Sequence, residues 1–332
     1  MKFGCSYFGN RIVRHVAEDM KLLKKQGFTF VVHTFSEFDL QFHKDNIGEI
    51  VEATHAAGLE AQLDPWGIGN VFGGEPFSNF AAQNMFTACQ VLDDGSPAPF
   101  ACPNSPVFRD FMREWIDAAT KAGTKVIFWD EPHFFNPSFL GGVPGRWGCR
   151  CEHCKKLFEQ AKGFPMPSTE TDDVKVFKRE TLYEFIDFLT RLASEKGLRN
   201  DLCVPAHVEA SQAQTHWLPY AKIPRLSVLG TDPYWQWHEK PVQMVSDYSR
   251  EVKKICDQTG LQPQIWIQVC RIKQGTEQEI RRAVNMAVEA GITNLAAWGF
   301  EGCANESWIR CDDPEKAWDV LIDSFQNAGE KS

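Results

Sequence analysis

Lys25-Gln26-Gly27-Phe28-Thr29-Phe30-Val31-Val32-His33-Thr34 decides the fold. The preceding stretch, Arg11–Lys25, carries Val13, Val16, Met20 and Leu23 on one helical face. The glycine ends that helix, and a β-branched, aromatic run follows at once. A helix that closes on glycine and feeds directly into a strand is the joint of a parallel β–α repeat. The same joint recurs at Ala56-Ala57-Gly58 and Lys121-Ala122-Gly123, and Thr276–Ala290 is followed by Gly291. Eight runs have strand composition: Lys2–Tyr7, Phe28–Thr34, Glu60–Leu63, Lys125–Trp129, Leu202–Ala206, Ser227–Gly230, Gln264–Val269 and Asn294–Ala297. Eight repeats predict an α/β protein of the (β/α)8 TIM-barrel type, a single domain over residues 1–332. A long decorated loop, 133–172, is expected after the fourth strand. An open doubly wound sheet would need a glycine-rich phosphate loop after the first strand, and none is present. Phe72-Gly73-Gly74-Glu75 falls after the third strand and reads as a loop.

Composition narrows the function classes. A 43% hydrophobic chain with 24 Gly and 18 Pro in 332 residues is neither disordered nor collagen-like. Lys and Arg total 35 against 44 Asp and Glu, a formal charge of −9, which argues against a nucleic-acid surface. No apolar run approaches the ~20 residues of a membrane helix. The start, Met1-Lys2-Phe3-Gly4-Cys5, lacks the layout of a signal peptide, so a soluble, cytoplasmic protein is expected. Eleven cysteines, an odd number, predict no disulfide framework in that setting. Eleven tryptophans exceed ordinary usage, and surplus indoles in an enzyme point to stacking platforms for sugar rings.

Active sites of such barrels lie at the C-terminal strand ends. Those positions here hold His33, Ser36 and Glu37; Asp64 and Trp66; Trp129, Asp130, Glu131 and His133; His207 and Glu209; Asp232, Tyr234, Trp235 and Trp237; Gln268 and Arg271; and Trp298 and Glu301. Carboxyls flanked by indoles are the equipment of glycoside hydrolysis, in which one protonates the leaving oxygen and a second acts at the anomeric centre. Glu131 is the candidate general acid, with Trp129, Pro132 and Asp130 expected to raise its pKa.

Part of the chain resembles a known family. Cys102-Pro103-Asn104-Ser105-Pro106-Val107-Phe108-Arg109, the strand end Asp130-Glu131, and Cys149-Arg150-Cys151-Glu152-His153-Cys154 with Phe158 are similar to segments of glycoside hydrolase family 42 β-galactosidases. The likeness is good over residues 100–160 and elsewhere extends only to the barrel. It implies a structural zinc on Cys102, Cys149, Cys151 and Cys154, and the spacing agrees, since three thiols within six residues can wrap one ion. His153 is the alternative fourth ligand. The resemblance also implies Glu131 as acid/base, with Asp130 in place of the usual Asn. The family's nucleophilic Glu at the end of strand seven has no counterpart in Ile265-Trp266-Ile267-Gln268-Val269.

Asp232 is therefore the favoured second carboxylate and Glu301 an alternative. A third option is Asp130 and Glu131 working as a pair, which resembles the substrate-assisted N-acetylhexosaminidases of families 20 and 123. Asp64, Trp66, His133, His207, Glu209, Tyr234, Trp298 and Glu301 are expected to line the sugar site, with no organic cofactor. Arg271 would either hold an acidic sugar's carboxylate or, the favoured reading, pair with a rim acid. The expected partner is a carbohydrate, with neither nucleic acid nor membrane, and self-association is left open. Two rival readings remain. One is a divalent-metal-dependent sugar isomerase or epimerase using Glu131, His207, Glu209, Asp232 and Glu301. The other is a barrel that binds glycans without cleaving them.

Overall fold

The computed structural model describes residues 1–137, 145–206 and 208–330. Its strands are β1 Lys2–Tyr7, β2 Phe30–Thr34, β3 Glu60–Asp64, β4 Cys89–Val91, β5 Pro97–Ala101, β6 Val126–Asp130, β7 Arg199–Val204, β8 Leu226–Thr231, β9 Gln262–Gln268 and β10 Asn294–Trp298. Eight of them close into one parallel barrel in the order β1-β10-β9-β8-β7-β6-β3-β2. This is the predicted (β/α)8 barrel, with each predicted strand within a few residues of its observed place. The pair β4 and β5, an antiparallel hairpin, is an addition to the eight predicted strands. It lies in the connection between β3 and the helix Pro106–Lys121.

The opening joint behaves as its residues dictate. Val16, Met20 and Leu23 of the helix Val13–Lys25 are buried, and Gly27 turns out of it at φ +97°. The amide of Phe28 reaches back to the Leu23 carbonyl at 3.1 Å, closing the helix before β2 begins.

Strand alternation divides the apolar residues into two cores. Val31, Leu63, Ile127, Leu202, Leu229, Ile265, Ile267 and Leu295 face the surrounding helices. Phe30, Val32, Phe128, Cys203, Trp266, Ala296 and Trp298 fill the barrel interior. This parity corrects two expectations. Trp129 belongs to the outer layer: it is fully buried against Phe72 and Trp115, and its Nε1 donates to Asn200 Oδ1 at 2.9 Å. His33 also points outward, with Nε2 2.8 Å from Thr54 Oγ1. Asp130, one position on from Trp129, points into the barrel mouth with Asp64. Among the described residues, no helix is long and apolar enough to cross a membrane.

Candidate active site and a four-cysteine cluster

Four of the five carboxyls at the mouth come from the ends of three strands, β3, β6 and β8, and a loop is clamped across them. The amide of Glu131 continues the β6–β7 pairing by donating to the Cys203 carbonyl at 3.0 Å. Its φ of +39° is uncommon outside glycine. The carbonyl of Glu131 accepts from His133 Nδ1 at 2.6 Å, and the His133 amide donates to the Val71 carbonyl at 2.8 Å. The Gly73 amide donates to the Asp130 carbonyl at 3.0 Å. A β-carbon on Gly73 would stand 2.6 Å from Asp130 Oδ2 and 3.2 Å from Glu131 Oε2, so only glycine lets this loop pass so close to both acids.

The clamped loop delivers Glu75, an acid outside the strand-end positions named from sequence. Trp66 Nε1 donates to Glu75 Oε2 at 3.1 Å. The carboxylate of Glu37 sets the path of the connection, accepting from the Gly69 amide (2.8 Å), the Ser78 hydroxyl (2.7 Å) and the Phe80 amide (2.6 Å). Glu37 thus supports the loop, and Ser36 caps the helix Glu37–Phe42 in a box with Asp39. The signal for Glu75 was present in the double glycine after the third strand, followed at once by an acid.

Asp64, Glu75, Asp130, Glu131 and Asp232 form one electrostatic unit. Burial raises each of them, and each of Asp64, Glu75, Asp130 and Asp232 is raised further by charges of its neighbours. Glu75 and Glu131 are both lifted to about 7. Asp232 shares a side-chain hydrogen bond with Glu131 that favours the proton on Asp232. Both carboxylate oxygens of the fully buried Asp64, and Oδ1 of Asp232, have no hydrogen-bond partner among the described residues. None of the five acids forms an ion pair among the described residues. Buried acceptors in this condition hold protons or await a donor-rich ligand.

An aromatic wall stands beside them. Phe8 stacks between Trp66 and Trp298, with centroids 5.4 Å away on each side and interplanar angles of 26° and 27°. Tyr234 packs on the same interior cluster, and burial together with Asp232 pushes its hydroxyl well above its ordinary pKa. Phe8 follows the first strand directly, a rim position that the sequence candidates left out.

Other candidates lie apart from this group. Glu209 is exposed and pairs with Lys240 at 3.5 Å. Glu301, at φ +49°, is raised by partial burial and by Asp19 rather than by the mouth acids. His133 lines a neighbouring cavity of about 400 Å³ with Phe134, Lys178 and Trp217, and burial lowers its pKa. His207 lies outside the described residues. Trp235 is buried, with Nε1 on Glu279 Oε2 at 2.8 Å. Gln268 accepts from the Gln236 amide and donates to the Cys270 carbonyl, each at 2.9 Å, so it serves as a loop tie. Arg271 pairs with no carboxylate among the described residues, contrary to the favoured expectation. Its guanidinium lies over the Trp237 and Trp308 rings instead.

The cysteines fall where the spacing predicted. Cys102 Sγ is 3.5 Å from Cys154, 3.6 Å from Cys151 and 3.8 Å from Cys149, and the four sulfurs lie within 4.8 Å of one another. Zinc–sulfur bonds of about 2.3 Å give a tetrahedral edge of about 3.8 Å, so the donor set fits a zinc site of four thiolates. His153 is exposed on the helix Glu152–Lys162, and Cys102 takes the fourth place. Phe134, Trp147, Phe158, Met166, Val174 and Phe177 enclose the cluster. No disulfide forms between any cysteines described. Among the described residues this is the one group of three or more His, Cys, Asp or Glu side chains within ligand distance of each other.

No family model and no curated protein matches the chain. Solved structures share its fold. A β-galactosidase from Bacillus circulans sp. alkalophilus aligns at a TM-score of 0.71 and 10% identity, covering 99% of this chain and 56% of that one. The chain thus spans little more than half the length of that enzyme. A putative α-L-fucosidase from Bacteroides thetaiotaomicron aligns at 0.59 and 8% identity, covering 97% and 94%. A D-psicose 3-epimerase aligns at 0.51 and 12% identity, covering 99% and 98%. At these identities the likeness is one of fold, which glycosidases and sugar epimerases share.

Proposed function

We propose that this barrel is a glycoside hydrolase akin to the family 42 enzymes in its fourth-strand segment, with Glu131 as general acid. The observation that carries the reading is the convergence of five carboxyls, unpaired by any cation among the described residues, beside a stacked aromatic wall. Glu131, raised to about 7 by burial, keeps its proton near neutral pH and can pass it to a leaving glycosidic oxygen. Retaining pairs of carboxyls stand about 5–5.5 Å apart and inverting pairs about 6.5–9.5 Å. Asp232 shares a proton with Glu131, and in this reading its role becomes that of a proton-sharing partner rather than the second carboxylate. Glu75 takes the second role. It feels Glu131, and its own charge reaches Cys270 and Cys303 beyond β9 and β10, across the mouth from β6. Asp64, Asp130, Trp66, Tyr234 and Trp298 bind the sugar. The four cysteines would hold a structural zinc ion that braces the loop and takes no part in the reaction.

The second reading, metal-dependent sugar epimerisation, draws support from Asp64, whose bare oxygens would also suit a hard divalent cation. A panel of aryl glycosides, including N-acetylhexosaminides and uronides, separates the two when run with and without a chelator that spares the cysteine site. Cleavage that survives the chelator and is lost in Glu131→Gln supports the hydrolase. No cleavage of any glycoside, with chelator-sensitive ketose epimerisation, would replace it by the epimerase.

A further inference from the structure

Arg271 sits at the edge of the mouth in a setting the hydrolytic chemistry does not use. Its guanidinium carbon is 4.9 Å from the Trp237 ring centroid and 5.6 Å from that of Trp308. The two indoles meet edge to face at 5.5 Å and 87°. The Arg271 amide donates to the Ile309 carbonyl at 2.9 Å, pinning the segment after β9 to the segment that carries Trp308. Arg271 adopts φ +52°, a left-handed conformation that costs a side-chain-bearing residue energy and here aims it at the two rings. Trp308 leaves 62% of its surface in solvent, a large apolar plate with nothing described to cover it.

A guanidinium also carries an edge of N–H groups that matches a carboxylate or sulfate in bidentate fashion when no other acceptor takes it up. Arg271 is exposed, and no carboxylate among the described residues takes up the edge. Its position is adjacent to the reaction site: Trp237 packs on the same interior cluster as Tyr234, Trp66 and Phe8. An anionic substituent would meet no cation among the five mouth acids, and any of them that ionises would repel it. One ring further out, Arg271 offers the opposite charge over a flat indole platform.

We propose that Trp237, Trp308 and Arg271 form a second sugar subsite that selects a glycan with an anionic substituent, a uronate carboxylate or a sulfate ester, on the ring next to the one held in the mouth. The inference rests on the glycosidase reading for its orientation, but its binding test does not depend on cleavage.

The test is binding of matched oligosaccharide pairs to the intact chain, followed by tryptophan fluorescence and calorimetry. One pair is tetragalacturonate and its methyl ester, and the other is a sulfated galactan tetrasaccharide and its desulfated form. At least one charged member is expected to bind about tenfold or more tightly than its neutral twin, as a charge-assisted bidentate contact supplies. The pair that shows the difference tells carboxylate from sulfate. Arg271→Met abolishes the preference and leaves neutral binding within about twofold, while Arg271→Lys restores part of it. Trp308→Ala weakens charged and neutral members alike. Equal binding of both twins in both pairs, or a preference that survives Arg271→Met, overturns the subsite. Melting curves of each variant confirm that the fold is kept. Aryl monosaccharide glycosides, which reach only the mouth, should be cleaved equally by wild type and Arg271→Met. If nothing is cleaved but the charge preference holds, the hydrolase reading fails and the subsite stands.

Discussion

In the proposed reaction Glu131 is the general acid. Its carboxyl is raised to about 7 by burial, while the hydrogen bond from Asp232 acts in the opposite direction. A general acid works only when protonated, so kcat/KM is expected to hold up to about pH 7 and fall above it. Glu131→Gln should lower kcat by at least ~100-fold and remove that alkaline fall from the residual activity. A decrease below about tenfold in initial-rate measurements would transfer the acid role elsewhere in the cluster. Glu131 and Asp130 were legible because a strand end at the C-terminal rim of a barrel is a fixed address. Trp129 was misplaced because its neighbourhood in sequence is not its neighbourhood in space: one step along a strand reverses the face. The same parity put His33 behind the barrel.

At the scale of elements, the cysteine loop and the loop across the mouth differed in how much their sequences revealed. The cysteine loop announced itself, because thiols at short spacing have few other purposes as a group. Cys154→Ser is expected to reduce bound metal below about half an equivalent per chain by mass spectrometry and to lower the melting temperature. Full zinc content in that variant would remove Cys154 from the ligand set. The double glycine marked the loop that carries Trp66 and Glu75, but its sequence did not show the course it takes. Its course depends on Glu37, whose carboxylate collects three donors from the far side of β3. Such a long-range tie has no periodicity to detect. Replacing Glu37 by Ala leaves those donors without a partner, each at a cost of about 1–3 kcal/mol where water cannot reach. The variant should still fold, melt several degrees lower and lose activity through a displaced Glu75. Unchanged kinetics beside a lowered melting temperature would show that the loop position does not matter to the reaction.

For the whole molecule, the acid-lined mouth makes folding itself sensitive to pH. Glu75 and Glu131 rise from 4.5 to about 7 on folding, so between those values the native chain holds protons that the unfolded chain has released. Stability from these groups is fully present below about pH 4.5, declines as pH rises toward 7, and is flat above. Buried neutral histidines act the other way. His33, lowered from 6.5 to about 3, costs stability as the pH falls below 6.5. The absolute stability profile therefore mixes opposing slopes, and a difference experiment isolates the acids. Glu75→Gln keeps an acceptor for Trp66 Nε1 but removes the titration. Relative to this variant, wild type should lose on the order of 5 °C in melting temperature between about pH 4.5 and 7.5, most of it before pH 7. A constant offset across that range would mean that Glu75 titrates as it does in water. It would then lie open to solvent rather than within the crowded mouth, and its assignment as the second carboxylate would fall with it. A declining offset shows Glu75 titrating as a buried acid of the mouth, as its proposed role as the second carboxylate requires.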